Sequence, residues 1–175
     1  MASFPSLITL CGFMGTGKSA VGKSLSLALR YQFFDSDREI QAREARSIQQ
    51  IFETEGEEHF RKIEKETLSK FLSKNEKTVL SVGGGAILDK ENFQLLASSS
   101  VMILLSANVD EIVRRLGHEN ERPLLQGGDR RKKIEKLLQD RKKIYSKVKI
   151  QIDTSGLAID EVVQKIIERL KKEYP

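Results

Sequence analysis

The sequence predicts one α/β domain, with a five-stranded parallel sheet as the middle of three layers and helices on both faces. Three observations lead there. Strand-like and helix-like segments alternate along the whole chain. The strand-like runs are continuously apolar, as strands buried on both faces must be. The turn after the first strand reads Gly12-Phe13-Met14-Gly15-Thr16-Gly17-Lys18-Ser19. That run fits the phosphate-binding spacing G-x-x-x-x-G-K-[ST] in the strand–helix context it requires, which makes the fold a P-loop NTPase fold.

The elements follow in order. Leu7–Cys11 is a short apolar strand that stops at a glycine. Lys18–Arg30 has helical spacing through Val21, Leu25, Ala28 and Leu29. Gln32–Asp35 (QFFD) is an aromatic strand ending in an acid. Two short helices are expected over Asp37–Ala45 and Ser47–Thr54, the second opened by a Ser47-x-x-Gln50 capping box. Gly56–Leu72 is a longer helix. Thr78–Val82 and Val101–Leu105 are apolar strands, each followed by a helical stretch. Asn108 caps the second of these helices, with Glu111 at its third position. Asp129–Tyr145 is helical, Lys149–Asp153 is the last strand, and Ala158–Tyr174 closes the chain. No repeat, low-complexity tract or linker interrupts the 175 residues, so residues 1–175 are read as a single domain.

Composition narrows the class. With 39% hydrophobic and 31% charged residues, the chain reads as globular rather than disordered. A domain this long buries roughly 70% of its unfolded surface and folds without disulfides. Cys11 is the sole cysteine, which excludes a disulfide scaffold. No apolar run approaches the ~18 residues needed to span a bilayer, and the start lacks a basic leading segment, so a cytoplasmic location is expected and no membrane partner. The net charge is +5, and residues 114–147 hold 12 Lys and Arg against 5 Asp and Glu. Such a surplus suits nucleic acid or the phosphates of a small ligand.

The glycine loop turns backbone N–H groups toward phosphates, and the helix starting near Lys18 adds its positive end. Lys18 neutralises the β and γ phosphates, and the Ser19 hydroxyl ligates Mg²⁺. A guanine-reading Asn-Lys-x-Asp is missing, which argues against a switch GTPase. Asp35-Ser36-Asp37 offers two carboxylates at i and i+2, which share a side if the segment is extended. One then serves the metal and the other a substrate; the alternative is a solvated turn, or Asp37 as a helix cap.

Helical geometry adds charges on apolar faces. Along Gly56–Leu72 the stripe is Phe60, Ile63, Leu68 and Phe71; Glu64 falls inside its arc and Arg61 toward one edge. An Arg61–Glu64 ion pair is one reading. Arg141 lies near the centre of the stripe Ile134, Leu137, Leu138, Ile144 and Tyr145, with no acid in helical reach. A ligand anion explains it better, since an unpaired buried charge is costly. Gly83-Gly84-Gly85 is either a tight turn or a place where a ligand comes close. Gly117–Gly128 carries Arg122-Pro123 between glycines and has the composition of a lid. His59 and His118 are isolated.

Together these motifs resemble the shikimate kinase family. The matching elements are G-x-x-G-x-G-K-S at Gly12–Ser19, D-S-D at Asp35–Asp37, S-I-x-x-I-F at Ser47–Phe52, G-E-x-x-F-R-x-x-E at Gly56–Glu64, G-G-G at Gly83–Gly85, R-P-L-L at Arg122–Leu125 and R-x-x-x-Y at Arg141–Tyr145. The resemblance implies ATP-dependent phosphorylation of the 3-hydroxyl of shikimate, on the route to chorismate and the aromatic amino acids, with Mg²⁺ and a monomeric enzyme. It implies a substrate-binding helical region over 33–61 and a lid region over 114–128. ATP is bound by Gly15, Thr16, Gly17, Lys18, Ser19, Ala20, Arg115 near the adenine, and Arg122 on the lid. Shikimate is bound by Asp37, Arg61, Gly83, Gly84, Gly85 and Arg141, with Phe52 and Phe60 walling the ring. Asp37, Lys18 and Arg122 carry the chemistry; Ser19 and Asp35 hold the metal. Two positions depart from the pattern: Ala20, where Thr is common, and Gln41, where an acid is common. A related P-loop kinase for gluconate or a nucleoside monophosphate is the nearest alternative. A nucleotide switch or nucleic-acid binder leaves Asp37, Arg141 and the triple glycine without a task, and the chain lacks a row of aromatics for base stacking.

Overall fold

A computed structural model of the chain describes residues 4–72, 76–117 and 128–175. Five strands form one sheet: β1 Leu7–Gly12, β2 Gln32–Asp35, β3 Thr78–Ser81, β4 Val101–Ser106 and β5 Ile150–Asp153. Their spatial order is β2-β3-β1-β4-β5, and every neighbouring pair is parallel. β1 is central, and the chain leaves it first to one side and later to the other. In open parallel sheets ligands bind at such a reversal, beyond the carboxyl ends of the strands. The glycine loop sits there.

Helix α1 (Lys18–Leu29) and helix α7 (Ile159–Glu173) cover one face. Val21, Leu25, Val162, Ile166 and Leu170 pack there on Ile8, Leu10, Ile103 and Leu105. Helix α3 (Ile48–Leu72) and helix α4 (Lys90–Ser99) cover the other, where Leu68, Phe71 and Leu96 meet Cys11, Leu80 and Leu104. Successive residues of a strand point to opposite faces. Both faces of β1 and β4 are covered, so every second position is apolar on each side and the runs read as continuous. β5 is an edge strand, and its Ile150 and Ile152 are buried while Gln151 and Asp153 are exposed. Among the described residues no helix is long and apolar enough to cross a membrane.

The expected elements form, with two differences that matter for the site. Helix α2 runs Ser36–Glu44 and is capped by Asp35, whose Oδ1 accepts the Arg38 N–H at 3.3 Å. Asp37 is therefore in the first helical turn rather than in an extended segment, and it is not the cap. The helices expected over Ser47–Thr54 and Gly56–Leu72 are two arms of α3, joined at Gly56 with φ 83°. The Ser47 capping box is present: Gln50 N–H donates to Ser47 Oγ at 3.1 Å and Ser47 N–H to Gln50 Oε1 at 2.8 Å. Helix α5 (Val109–Leu116) is capped by Asn108, which accepts the Glu111 N–H at 2.8 Å. Helix α6 spans Arg130–Tyr145.

The chain leaves β1 through Gly12, at φ +138° and in register with Leu105 of β4. A Cβ at Gly12 would lie 2.1 Å from the Leu105 carbonyl oxygen. Backbone strain and a backbone clash coincide, and neither neighbour can move without opening the sheet. Gly12→Ala should destabilise the fold by more than about 2 kcal/mol, read as a lowered urea midpoint; a midpoint unchanged from the parent chain would contradict this packing.

Candidate active site

The phosphate loop is held from within. Phe13 O accepts Thr16 Oγ1–H at 2.8 Å and the Lys18 ammonium at 2.9 Å, so the lysine folds back over the loop. The first turn of α1 has no acidic residue, which leaves its N-terminal N–H groups and dipole available to an anion. Ser19 Oγ–H donates to Asp35 Oδ2 at 2.5 Å. A hydroxyl and a carboxylate oxygen, 16 residues apart in sequence, thus meet beside the loop.

Such hard oxygen donors fit Mg²⁺, which takes one or two protein ligands and fills the remaining positions with water and phosphate oxygens. Among the described residues no cluster of three or more His, Cys, Asp or Glu could hold a metal. The pair suits a metal shared with a nucleotide rather than a closed protein site.

Beyond the end of β3 the three glycines each meet a different neighbour. A Cβ at Gly83 would lie 2.6 Å from Asp37 Oδ1 and 3.1 Å from Glu64 Oε1. At Gly84 it would lie 3.4 Å from the Met14 N, and at Gly85 2.6 Å from Arg61 Nη2. The turn is glycine because α2, α3 and the phosphate loop all close on it. Gly83 N–H donates to Ser36 Oγ at 3.1 Å. Arg141 of α6 is 5% exposed; its Nη1–H donates to Gly84 O at 2.9 Å, and its guanidinium stands 5.0 Å from the centre of the Phe13 ring. Tyr145, one turn on, donates its hydroxyl to the same oxygen at 3.4 Å.

Arg61 forms the ion pair expected with Glu64, at 2.8 Å, and also lies against the triple glycine. It pairs with Glu57 too, at 3.1 Å. Arg61, Arg141, Asp37 and Glu64, from three helices, therefore gather at one turn. Phe52 and Phe60 lie alongside, their rings 4.9 Å apart. Because α2 starts at Ser36, Asp35 faces Ser19 while Asp37 faces Gly83. The two carboxylates are separated by a helix start, not aligned along a strand.

Arg115 lies on the outer side of the phosphate loop. Its Nη1–H groups reach Gly15 O at 3.3 Å and Thr154 Oγ1 at 2.9 Å, its Nη2–H reaches Thr154 O at 2.7 Å, and its Nε–H reaches Glu111 Oε1 at 2.7 Å. Arg114 and Arg115 hold the Glu111 carboxyl well below its ordinary range. Arg122 and residues 118–127 of the expected lid, His118 included, lie outside the described residues. Ser36 and Tyr145 border the site without having been singled out for it from sequence, Glu64 was read only as a partner of Arg61 and Glu111 only as part of the Asn108 cap, and Thr154 lies behind the phosphate loop with no reading at all. The i, i+4 spacing of Glu111 and Arg115 was a usable signal, as was the place of Thr154 just past a strand end.

Residues 14–171 match the family model described as Shikimate kinase. A shikimate kinase of Pelotomaculum thermopropionicum is 40% identical over 165 residues, covering 94% of this chain and 95% of that protein. One from Geobacter metallireducens is 40% identical over 159 residues, covering 91% and 88%. Among solved structures, a shikimate kinase from Acinetobacter baumannii in complex with shikimate superposes with a TM-score of 0.93 at 34% identity, covering 98% of this chain and 96% of that one. A gluconokinase from Sinorhizobium meliloti, at TM-score 0.60 and 14% identity, shares the fold.

Glu64 is fully buried, and burial pushes its carboxyl up to about 7; Arg61 opposes the shift, while Asp37 and Asp89 add to it. In the unfolded chain the same group ionises near its ordinary 4.5. Folding therefore holds a proton between these values, and the associated stability, full below the ordinary value, is lost as pH rises through about 7. Glu64→Gln carries no titrating group. Its melting temperature relative to the parent should rise as pH goes from 4.5 to about 7 and then level off; a difference that stays constant over that range would show that Glu64 ionises normally.

Proposed function

The chain belongs to the shikimate kinase family, a family of ATP-dependent phosphotransferases with an alcohol as acceptor, and we propose how its residues phosphorylate the 3-hydroxyl of shikimate. The observation that carries the reading is the convergence of Asp37, Arg61 and Arg141 on Gly83–Gly85, directly beside the phosphate loop. One site thus offers groups for a carboxylate, groups for ring hydroxyls, and a cradle for a triphosphate.

Arg141 and Arg61 hold the shikimate carboxylate with forked, charge-assisted hydrogen bonds. Arg141 spends one N–H on Gly84 O and is oriented by it. The three glycines let the ring approach the backbone, with Phe52 and Phe60 against its apolar edge. Asp37 orients the reacting hydroxyl and accepts its proton as the phosphoryl group transfers. The N–H groups of Gly15 through Ala20 and the Lys18 ammonium bind the ATP phosphates and neutralise charge in the transition state. Ala20 contributes only its N–H, having no hydroxyl. Ser19 and Asp35 would hold Mg²⁺, which when bound neutralises the phosphates. The family reading goes with a monomer, and both substrates are soluble metabolites, which suits the cytoplasm.

An ATP-coupled assay against shikimate, gluconate and nucleoside monophosphates tests the substrate. Turnover is expected with shikimate, and faster turnover of gluconate or a nucleotide would overturn the reading. In the same assay the two aspartates should separate. Asp37→Asn keeps shape but loses charge and base, so kcat should fall by about two orders of magnitude or more while the Mg²⁺ requirement stays near normal. Asp35→Asn should instead raise the Mg²⁺ concentration for half-maximal rate. Rescue of Asp37→Asn by added Mg²⁺, with none for Asp35→Asn, would mean that the roles are exchanged.

A further inference from the structure

Residue Thr154 follows directly on β5, is 1% exposed, and belongs to no part of the reaction described above. Its hydroxyl sits among three partners. It accepts Arg115 Nη1–H at 2.9 Å, and it stands 2.9 Å from Ser106 O and 3.3 Å from Thr16 O. A hydroxyl has one proton to donate. Ser106 O already accepts the backbone N–H of Thr154 at 2.8 Å. A carbonyl accepts two bonds, so the hydroxyl proton lies within reach of both Ser106 O at 2.9 Å and Thr16 O at 3.3 Å, and its reach to Thr16 O ties the phosphate loop to the end of β5.

The consequence lies in the loop's peptide planes. In a trans peptide the C=O and the following N–H point in opposite directions. A donor that holds Gly15 O outward aims the Thr16 N–H inward, and one that holds Thr16 O outward aims the Gly17 N–H inward. Arg115 Nη1 supplies the first donor at 3.3 Å and Thr154 Oγ1 the second. Arg115 is itself fixed by Glu111 and by both oxygens of Thr154. An anion-binding loop needs its N–H groups preset, because orienting them on binding costs affinity.

We propose that Thr154 is a positioning residue for the phosphate loop, acting with Arg115 from behind to hold the Gly15–Thr16–Gly17 peptides with their N–H groups facing the nucleotide phosphates. The proposal deepens the reading that this loop binds ATP and rests on it. Arg115 then serves the phosphates through the loop, besides any contact with the base. The side chain that matters is the hydroxyl, so Thr and Ser are equivalent and Val is not.

The test compares Thr154→Val, which keeps the shape, with Thr154→Ser, which keeps the hydroxyl. Each is measured for the KM of ATP and of shikimate, kcat, and binding of inorganic tripolyphosphate, a probe with no base. ATP KM and tripolyphosphate Kd should both rise about five- to tenfold in Thr154→Val, the scale of one lost hydrogen bond. Its kcat and shikimate KM should stay within about twofold of the parent, and Thr154→Ser should behave as the parent. Weaker ATP binding with unchanged tripolyphosphate binding would place Thr154 on the base and overturn the proposal. So would unchanged binding of both, a fall confined to kcat, or a Ser variant as weak as the Val variant. If circular dichroism shows Thr154→Val unfolded, Thr154→Ala is read by the same criteria. A parent chain that bound no ATP would remove the underlying reading itself, an outcome distinct from any difference between variants.

Discussion

All five strands run in one direction, so their carboxyl ends share a single rim, and the site depends on that constraint. Each turn off the rim delivers one part. The turn after β1 brings the phosphate loop, the end of β2 brings Asp35 and Asp37, the end of β3 brings the triple glycine, and the end of β5 brings Thr154. An antiparallel arrangement would scatter these turns over both ends of the sheet. The reversal of order at β1 puts the loop in the middle of the rim, with the acceptor groups to the β3 side and Arg115 to the β5 side.

Three consecutive residues without side chains then let the acceptor groups approach. Gly83, Gly84 and Gly85 meet Asp37, the phosphate loop and Arg61 respectively, so closely that a Cβ at Gly83 or Gly85 would push the Asp37 carboxylate or the Arg61 guanidinium out of place. The turn is the point on which these side chains assemble, and the floor of the proposed acceptor site. Arg141 reaches it from α6 and Glu64 from α3, so four charged side chains crowd against bare backbone.

That crowding costs stability. Arg141 and Glu64 are buried in a fold whose core is otherwise aliphatic and aromatic, and Glu64 Oε1 has no hydrogen-bond partner among the described residues. Apolar replacements at such places often stabilise proteins. In the proposed reading, charges kept there are preorganised for the substrate, with the desolvation already met during folding. The phosphate side is built differently, mostly from backbone groups. Its carbonyls are tied back by Lys18, Thr16, Arg115 and Thr154.

The fold was legible in sequence because its signals are local. Periodicity marked the strands and helices, the Ser47–Gln50 and Asn108 caps marked two helix starts, and the glycine loop between strand and helix marked the phosphate site. Arg141 was legible too, since a charge centred on an apolar stripe breaks a local rule. The resemblance supplied the acceptor and the roles. Tertiary structure alone decided the rest. Asp35 and Asp37 diverge because α2 starts one residue earlier than expected, a matter of which acid takes the cap. Arg61 is both ion-paired and at the site, because the arm of α3 past Gly56 lies against the triple glycine. Thr154 reaches the phosphate loop across 138 residues. Its place past a strand end puts it on the rim, but the parallel pairing sets which strand ends meet there.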